Sequence, residues 1–230
     1  MGTNYNPKVV SNGLLLYVDA ANTKSYSGSG AAWKDLSGIS GDITLTNSPT
    51  YSATDGRGSF SFNGSNQAGS SSYDFDNRFS AGITMSAWVK IPNYSTWHRI
   101  MTISSSDNTS FTYFLQSNAS NGTVQFGTGT GGYTSGTTAM GQNTWVNVCA
   151  TCIYGASGIK IYVNGVDNTG STSGTPAEVT NVGTFYIARL IGSGGEYGNI
   201  TLSNAMMYNR ALTAAEVLTN FTALRGRFSI

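Results

Sequence analysis

The sequence predicts an all-β fold, a two-sheet antiparallel sandwich closed by one short C-terminal helix, and three observations carry that prediction. Charge is scarce: 10% of the 230 residues are Asp, Glu, Lys or Arg, against roughly 25% in an average soluble protein. Polarity comes instead from 29 glycines and many Ser, Thr and Asn, which suit turns rather than helical surfaces. The apolar segments are short and bounded by Gly, Asn or Ser, and no helical repeats alternate with them, which favours two packed sheets. Sandwiches of this length fold as one unit. Residues 1–12 are therefore expected as an N-terminal arm and 13–230 as a single domain that includes the helix.

Leu14 to Asp19 (LLLYVD) reads as the first strand, followed by a Gly/Ser-rich stretch from Ser25 to Gly30 and turn signals from Ser37 to Asp42. Ser59 to Asn63 puts Phe60 and Phe62 on one face, and Asn63-Gly64 predicts a hairpin after it. Ile83, Met85, Ala87, Val89 and Ile91 alternate with Thr84, Ser86, Trp88 and Lys90, a period of two that predicts one buried face. Later strands are predicted at Arg99–Ser104, Phe111–Gln116, Thr123–Phe126, Trp145–Tyr154, Gly158–Val163 and Thr184–Ala188. Trp88 and Trp145, inside strand patterns, are expected to pack on the sheets. Thr213 three residues before Glu216, with Val217, Leu218, Phe221 and Leu224 at helical spacing, predicts a capped helix over about 213–225. Gly226 is placed to end it.

The net charge of +1 offers no basic field for nucleic acid or anionic lipid. Met1 to Val10 has no apolar core of signal-peptide length, and Leu14 to Val18 is far too short to span a membrane. Neither nucleic acid nor a membrane is expected as a partner. Asn-x-Ser/Thr triplets at Asn63, Asn108, Asn118 and Asn199 follow from composition, and no glycans are assigned to them. Cys149 and Cys152 lie in one strand three residues apart, on opposite faces and about 10 Å from each other. A disulfide needs closer Cα atoms, and with a single histidine in the chain a four-ligand zinc site is out of reach. Both thiols are expected to stay reduced.

Four stretches together resemble the laminin-G-like branch of the concanavalin A-like lectin/glucanase superfamily: SFNGSNQ at Ser61–Gln67, ITMSAWVKI at Ile83–Ile91, TWVNVCATC with IYVNGV within Thr144–Val166, and NAMMYNRALTAAEV at Asn204–Val217. They span more than half of the chain in the family order. The ends, GLLLYVDAANTKSYSGSG and NFTALRGRF, are similar to those of laminin-G-like proteins carried by tailed phages. The resemblance implies a jelly-roll sandwich and a location in the virion, made in the host cytoplasm without a signal peptide. It also implies other virion proteins as partners, met through residues 1–12 and Arg225 to Ile230, and is compatible with a homo-oligomer.

Relatives of this fold include glucanases, whose chemistry needs paired carboxylates facing a cleft. Their acidic cluster is missing here: Glu178, Glu196 and Glu216 stand far apart in sequence, and Glu216 serves the helix cap. Asp74 and Asp76 are the close acidic pair, and on a strand they would share one face, without a third partner. His98 has no activated Ser or Cys in a recognisable nucleophile motif. No catalytic residue is assigned, and the chain is not expected to be an enzyme. Calcium is the cofactor the resemblance raises, through a rim turn where relatives carry Asp; here Asn63 and Gln67 stand instead. Asp19, Asp107 and Asp167 remain as oxygen donors that sequence cannot bring together.

Lectin sites pair an aromatic face with amide or carboxylate groups, because sugar C–H faces stack on rings while hydroxyls need fixed polar partners. Tyr94 and Trp97 in one polar loop, Tyr133 after Gly131-Gly132, and Glu196-Tyr197 after Gly194-Gly195 carry that pairing and are the candidate ligand contacts. Two functions stay open at this point: a module that binds glycans or cell-surface polysaccharide, and a purely structural capsid or tail decoration protein. A glycan hydrolase is a distant third.

Overall fold

A computed structural model describes residues 8–129, 131–155, 158–191 and 195–230. Its first sheet runs in the order β14 (Val166–Asp167), β13 (Ile159–Val163), β12 (Val146–Cys152), β7 (Ile83–Lys90), β19 (Asn199–Tyr208), β5 (Ser59–Asn63) and β4 (Thr50–Ser52), with β1 (Leu14–Asp19) beside the second half of β19. The second sheet runs β15 (Thr169–Gly174), β11 (Gly132–Ala139), β10 (Thr123–Thr128), β9 (Phe111–Ser117), β8 (His98–Ser104), β16 (Phe185–Ile187), β6 (Ala68–Ser71), β3 (Ile43–Thr46) and β2 (Ala32–Trp33). Neighbouring strands are antiparallel throughout both sheets. A small hairpin, β17 (Arg189–Leu190) with β18 (Glu196–Tyr197), lies against β8.

The inner faces meet in one apolar core. Phe60 and Phe62, the odd-numbered residues of β7, and Val148, Ala150 and Cys152 face Ile103, Tyr113, Leu115, Val124, Phe126, Phe185 and Ile187. This is the two-layer solution by which each sheet buries its apolar side.

A second cluster covers the outer face of the first sheet. The helix α1 (Ala214–Leu224) lays Val217, Phe221 and Leu224 over Trp88, Cys149, Met206 and Tyr208. Trp88 is consequently stacked between Phe228, with centroids 3.9 Å apart, and Phe221 at 5.7 Å. The alternation in β7 had predicted one buried face, yet Thr84, Ser86 and Trp88 are buried as well. The helix is the reason, since it provides a second apolar layer that a strand pattern does not announce. Cys149 belongs to this outer cluster and Cys152 to the core, both free, as their spacing required. Burial pushes both thiols up to about 12, so they are poor nucleophiles at neutral pH.

The cap forms as the spacing predicted, with Thr213 Oγ1 accepting from the Glu216 amide and Glu216 accepting from the Thr213 amide. Gly226 does not end the helix in a left-handed turn. The helix runs directly into a 3-10 turn over Arg225–Arg227, because Phe228 is drawn down onto Trp88 and Arg227 reaches Asp19 at 2.7 Å. Of the segment expected as an attachment end, Phe228 is buried and Arg227 half-buried against the sandwich, while Arg225, Gly226, Ser229 and Ile230 stay exposed. At the other end, Met1–Pro7 lie outside the described residues, while Val9 and Val10 pack on the helix-side cluster.

Two further expectations change. Gly64 does turn with a positive φ of 70°, but β5 and β6 lie in different sheets, so Asn63-Gly64 begins a crossover between layers, not a hairpin. Asp74 and Asp76 sit in a turn outside any strand; Asp74 Oδ1 accepts from the Asp76 amide at 2.9 Å, and Asp76 Oδ1 accepts from the Val182 amide. Local side-chain bonds of this kind compete with strand pairing. Among the described residues no helix is long and apolar enough to cross a membrane.

Candidate functional site

The outer face of the second sheet is built differently from that of the first. In β9, Tyr113 and Leu115 point to the core, so period-two alternation sends Phe114 and Gln116 to the other side. The register places Gln116 beside Arg99 of β8 and Gln125 of β10, and Gln125 beside Ser135 of β11. These four side chains form a hydrogen-bonded ladder. Arg99 Nη1 donates to Gln116 Oε1, Gln116 Nε2 to Gln125 Oε1 at 3.2 Å, and Gln125 Nε2 to Ser135 Oγ at 2.8 Å.

Arginine can only donate, so its position at one end fixes both amide orientations down the row. Burial lowers the Arg99 pKa to about 10, which leaves it charged at neutral pH, and Glu196 of the β17–β18 hairpin supplies its counter-charge through Arg99 Nη2. The hairpin can approach this closely because of Gly198, where a Cβ would come within 2.3 Å of the Arg99 carbonyl oxygen. Both glutamines are buried, so their amides brace the row and orient Arg99 at one end and the half-buried Ser135 at the other.

Two residues along the same strands runs a row of rings. Tyr186 of β16, Thr102, Phe114, Gly127 and Tyr133 are successive cross-strand neighbours. Gly127 makes the row possible: a Cβ there would lie 2.6 Å from Phe114 Cζ and 2.7 Å from Tyr133 Cβ. Phe111 closes edge-on against Phe114 at 5.4 Å, and Tyr133 is 42% exposed.

The structure gathers three of the five candidate contacts at the hairpin end. Arg99 lies 5.2 Å over the Trp97 ring, Glu196 pairs with Arg99, and Tyr197 stacks 5.4 Å from Arg189. Tyr133 stands at the opposite end of the ring row. Tyr94 stands apart: half-buried against the core, it donates its hydroxyl to the Met140 carbonyl and ties two loops together. Sequence reasoning missed Arg99, Phe114, Gln116, Gln125, Tyr186 and Arg189. The signal was available in part, since Phe114 and Gln116 share a parity in one strand and Gln125 sits in the next, but only the register shows that they adjoin.

A family model described as the concanavalin A-like lectin/glucanases superfamily matches residues 62–218. The chain belongs to this superfamily. Similar solved structures include Trypanosoma rangeli sialidase in complex with sialic acid, with TM-score 0.69, 16% identity, and coverage of 95% of this chain and 34% of that one. The receptor-binding domain of botulinum neurotoxin type G matches with TM-score 0.63, 14% identity, and coverage of 91% and 51%. The binding domain of botulinum neurotoxin DC in complex with SialylT matches with TM-score 0.65, 13% identity, and coverage of 94% and 52%. The chain therefore spans about a third to a half of these longer proteins, and at such identities the likeness shows the fold. No curated protein sequence matches it.

For this member of the superfamily, the rim turn that resemblance associates with calcium is held by amides. Asn63 Oδ1 accepts from the amides of Ser65 and Asn66, and Gln67 Nε2 donates to the carbonyls of Asn47 at 3.1 Å and Ser48 at 3.0 Å. An amide thus gathers the carbonyl oxygens that a cation would otherwise neutralise. Asp19, Asp107 and Asp167 lie at the end of β1, in the β8–β9 connection and on β14, and among the described residues no three of His, Cys, Asp or Glu come together. His98 begins β8 fully buried, its Nε2 2.8 Å from the Asn93 carbonyl, and burial lowers its pKa. A groove of about 990 Å³ beside the helix is lined by Tyr17, Asp19, Arg57, Leu224 and Arg227. Its central groups are already spent: Arg227 donates to Asp19 at 2.7 Å, Ser203 Oγ at 2.6 Å and the Gly56 carbonyl at 3.3 Å, which anchors the C-terminal turn.

Proposed function

We propose that the chain is a non-catalytic glycan-binding module of a phage virion surface, taking saccharide across the outer face of its second sheet. The observation that carries this reading is the pair of parallel rows, one of amides and one of rings, at the two-residue spacing of the pleat. A pyranose laid on the exposed Tyr133 ring would have its C–H face on aromatic carbon and its hydroxyls beside Ser135, with the buried Gln116 and Gln125 holding Ser135 and Arg99 in place.

Two of the similar structures are complexes with sialic acid and with SialylT, which supports glycans as a ligand class for this architecture. The virion assignment rests on the resemblance of both chain ends to those of phage proteins. Its geometry is consistent, because Val10 and the C-terminal turn sit on the helix-covered side, away from the two rows. Attachment and recognition would then occupy opposite faces.

The test is a broad glycan array probed with the wild type and with Tyr133→Ala and Gln125→Ala, with and without calcium. Specific binding lost in both variants is expected. A blank array with a folded wild type would overturn the reading and leave a structural decoration protein. Hydrolysis of a bound glycan would overturn the non-catalytic part.

A further inference from the structure

Arg189 is a cation that neither the ladder nor an ion pair among the described residues uses up. All eleven Asp and Glu residues lie within the described part of the chain, and the four that form ion pairs do so with Lys90, Arg99, Arg210 and Arg227. Arg189 is held without a carboxylate, its guanidinium carbon 5.3 Å from the Tyr186 ring and 5.4 Å from the Tyr197 ring. Its Nε is buried without a partner, and its terminal nitrogens donate to no group among the described residues. Glu196, although adjacent to Tyr197, points to the other face of the hairpin by strand alternation and is committed to Arg99.

The backbone is bent to achieve this. Ala188, between β16 and β17, has a φ of 57°, a left-handed conformation that a residue with a Cβ adopts at a cost. The bend is held by Ala188 N–H donating to the Ile100 carbonyl and Gly198 N–H donating to the Ala188 carbonyl. Strain kept at the residue that aims a clamped arginine is a feature of binding sites more than of plain connections. Tyr186, one wall of the clamp, is also the end of the ring row.

Resting on the glycan-binding reading above, we infer that the ligand is an acidic saccharide whose carboxylate docks on Arg189 at the Tyr186 end of the ring row. A guanidinium offers two parallel N–H groups that match the two oxygens of a carboxylate. Two aromatic walls keep that fork oriented and partly desolvated, which strengthens the pairing.

The experiment measures the affinity of sialyllactose and of hyaluronan and polygalacturonate oligosaccharides, each beside its carboxyl-reduced form, for the wild type, Arg189→Gln and Arg189→Lys. At least one acidic form is expected to bind the wild type about ten- to a hundredfold more tightly than its reduced form, as one charge-assisted bidentate contact implies. Arg189→Gln should lower the acidic form to the level of the reduced one and leave the reduced form unchanged. Arg189→Lys, which keeps the charge and loses the fork, should fall between. Equal affinity of the acidic and reduced forms for the wild type, or an acid preference that survives Arg189→Gln, would overturn the inference while leaving the glycan-binding reading in place. A panel on which no saccharide binds overturns both.

Discussion

The two outer faces of the sandwich have the same pleated geometry and opposite chemistry. On the first sheet, Trp88, Met206 and Tyr208 are roofed by Phe221, Leu224 and Phe228, so this face holds the fold together. On the second sheet, Arg99, Gln116, Gln125 and Ser135 are joined by side-chain hydrogen bonds; the first three are buried and Ser135 is half-buried, so this face is held by polar contacts of its own with no helix over it. An apolar face has to be covered to be stable, whereas a hydrogen-bonded polar row holds its face without a helix.

The comparison breaks most visibly at Trp88. Trp88→Ala removes the ring stacked between Phe221 and Phe228, and about 3–5 kcal/mol of unfolding free energy should be lost in urea titration, with glycan affinity unchanged under folding conditions. An equal loss of affinity would mean that the two faces are not separable. The next effect is at Gln116→Leu, which strands Arg99 Nη1 and the Gln125 carbonyl. A loss of about 1–3 kcal/mol is expected, here accompanied by loss of binding; unchanged stability would show that the ladder is not formed in solution.

A smaller effect concerns acid. Bidentate bonds from Arg210, at 2.6 and 2.9 Å, and the Thr213 amide hold the Glu216 carboxyl at about 2, below its ordinary 4.5. A depressed carboxyl stabilises the fold above pH 4.5, and that contribution fades as pH falls from 4.5 towards 2. Glu216→Gln should therefore flatten the acid limb of the stability curve in that window, and a curve parallel to the wild type would contradict the pairing. The smallest effect is a null one: because Gln67 already bridges the Asn47 and Ser48 carbonyls, calcium or a chelator should leave Tm unchanged. A calcium-dependent rise would place a cation in that turn.

Much of the fold was legible because strands report their own burial. Leu14–Asp19 and Ser59–Asn63 match the structure end to end, and the Thr213–Glu216 cap needed only local spacing. What failed to show was anything set by a distant partner. The second buried face of β7 depends on a helix well over a hundred residues away, and the Asn63-Gly64 turn feeds the opposite sheet for reasons that lie in the packing of both layers. The site follows the same division. Exposed aromatics such as Trp97 and Tyr133 could be picked from their Gly-rich and polar surroundings, but Gln116 and Gln125 look like ordinary strand residues until register sets them side by side. Arg189 was invisible for a further reason, since its orientation depends on one left-handed alanine.

The most direct test of the central claim is amide hydrogen exchange in the presence and absence of a glycan that binds. New protection confined to β8–β11 and the Arg189–Tyr197 hairpin is the expected result. Protection centred on the helix, or on the Tyr94–His98 loop without the sheet, would contradict the assignment of this face as the binding site.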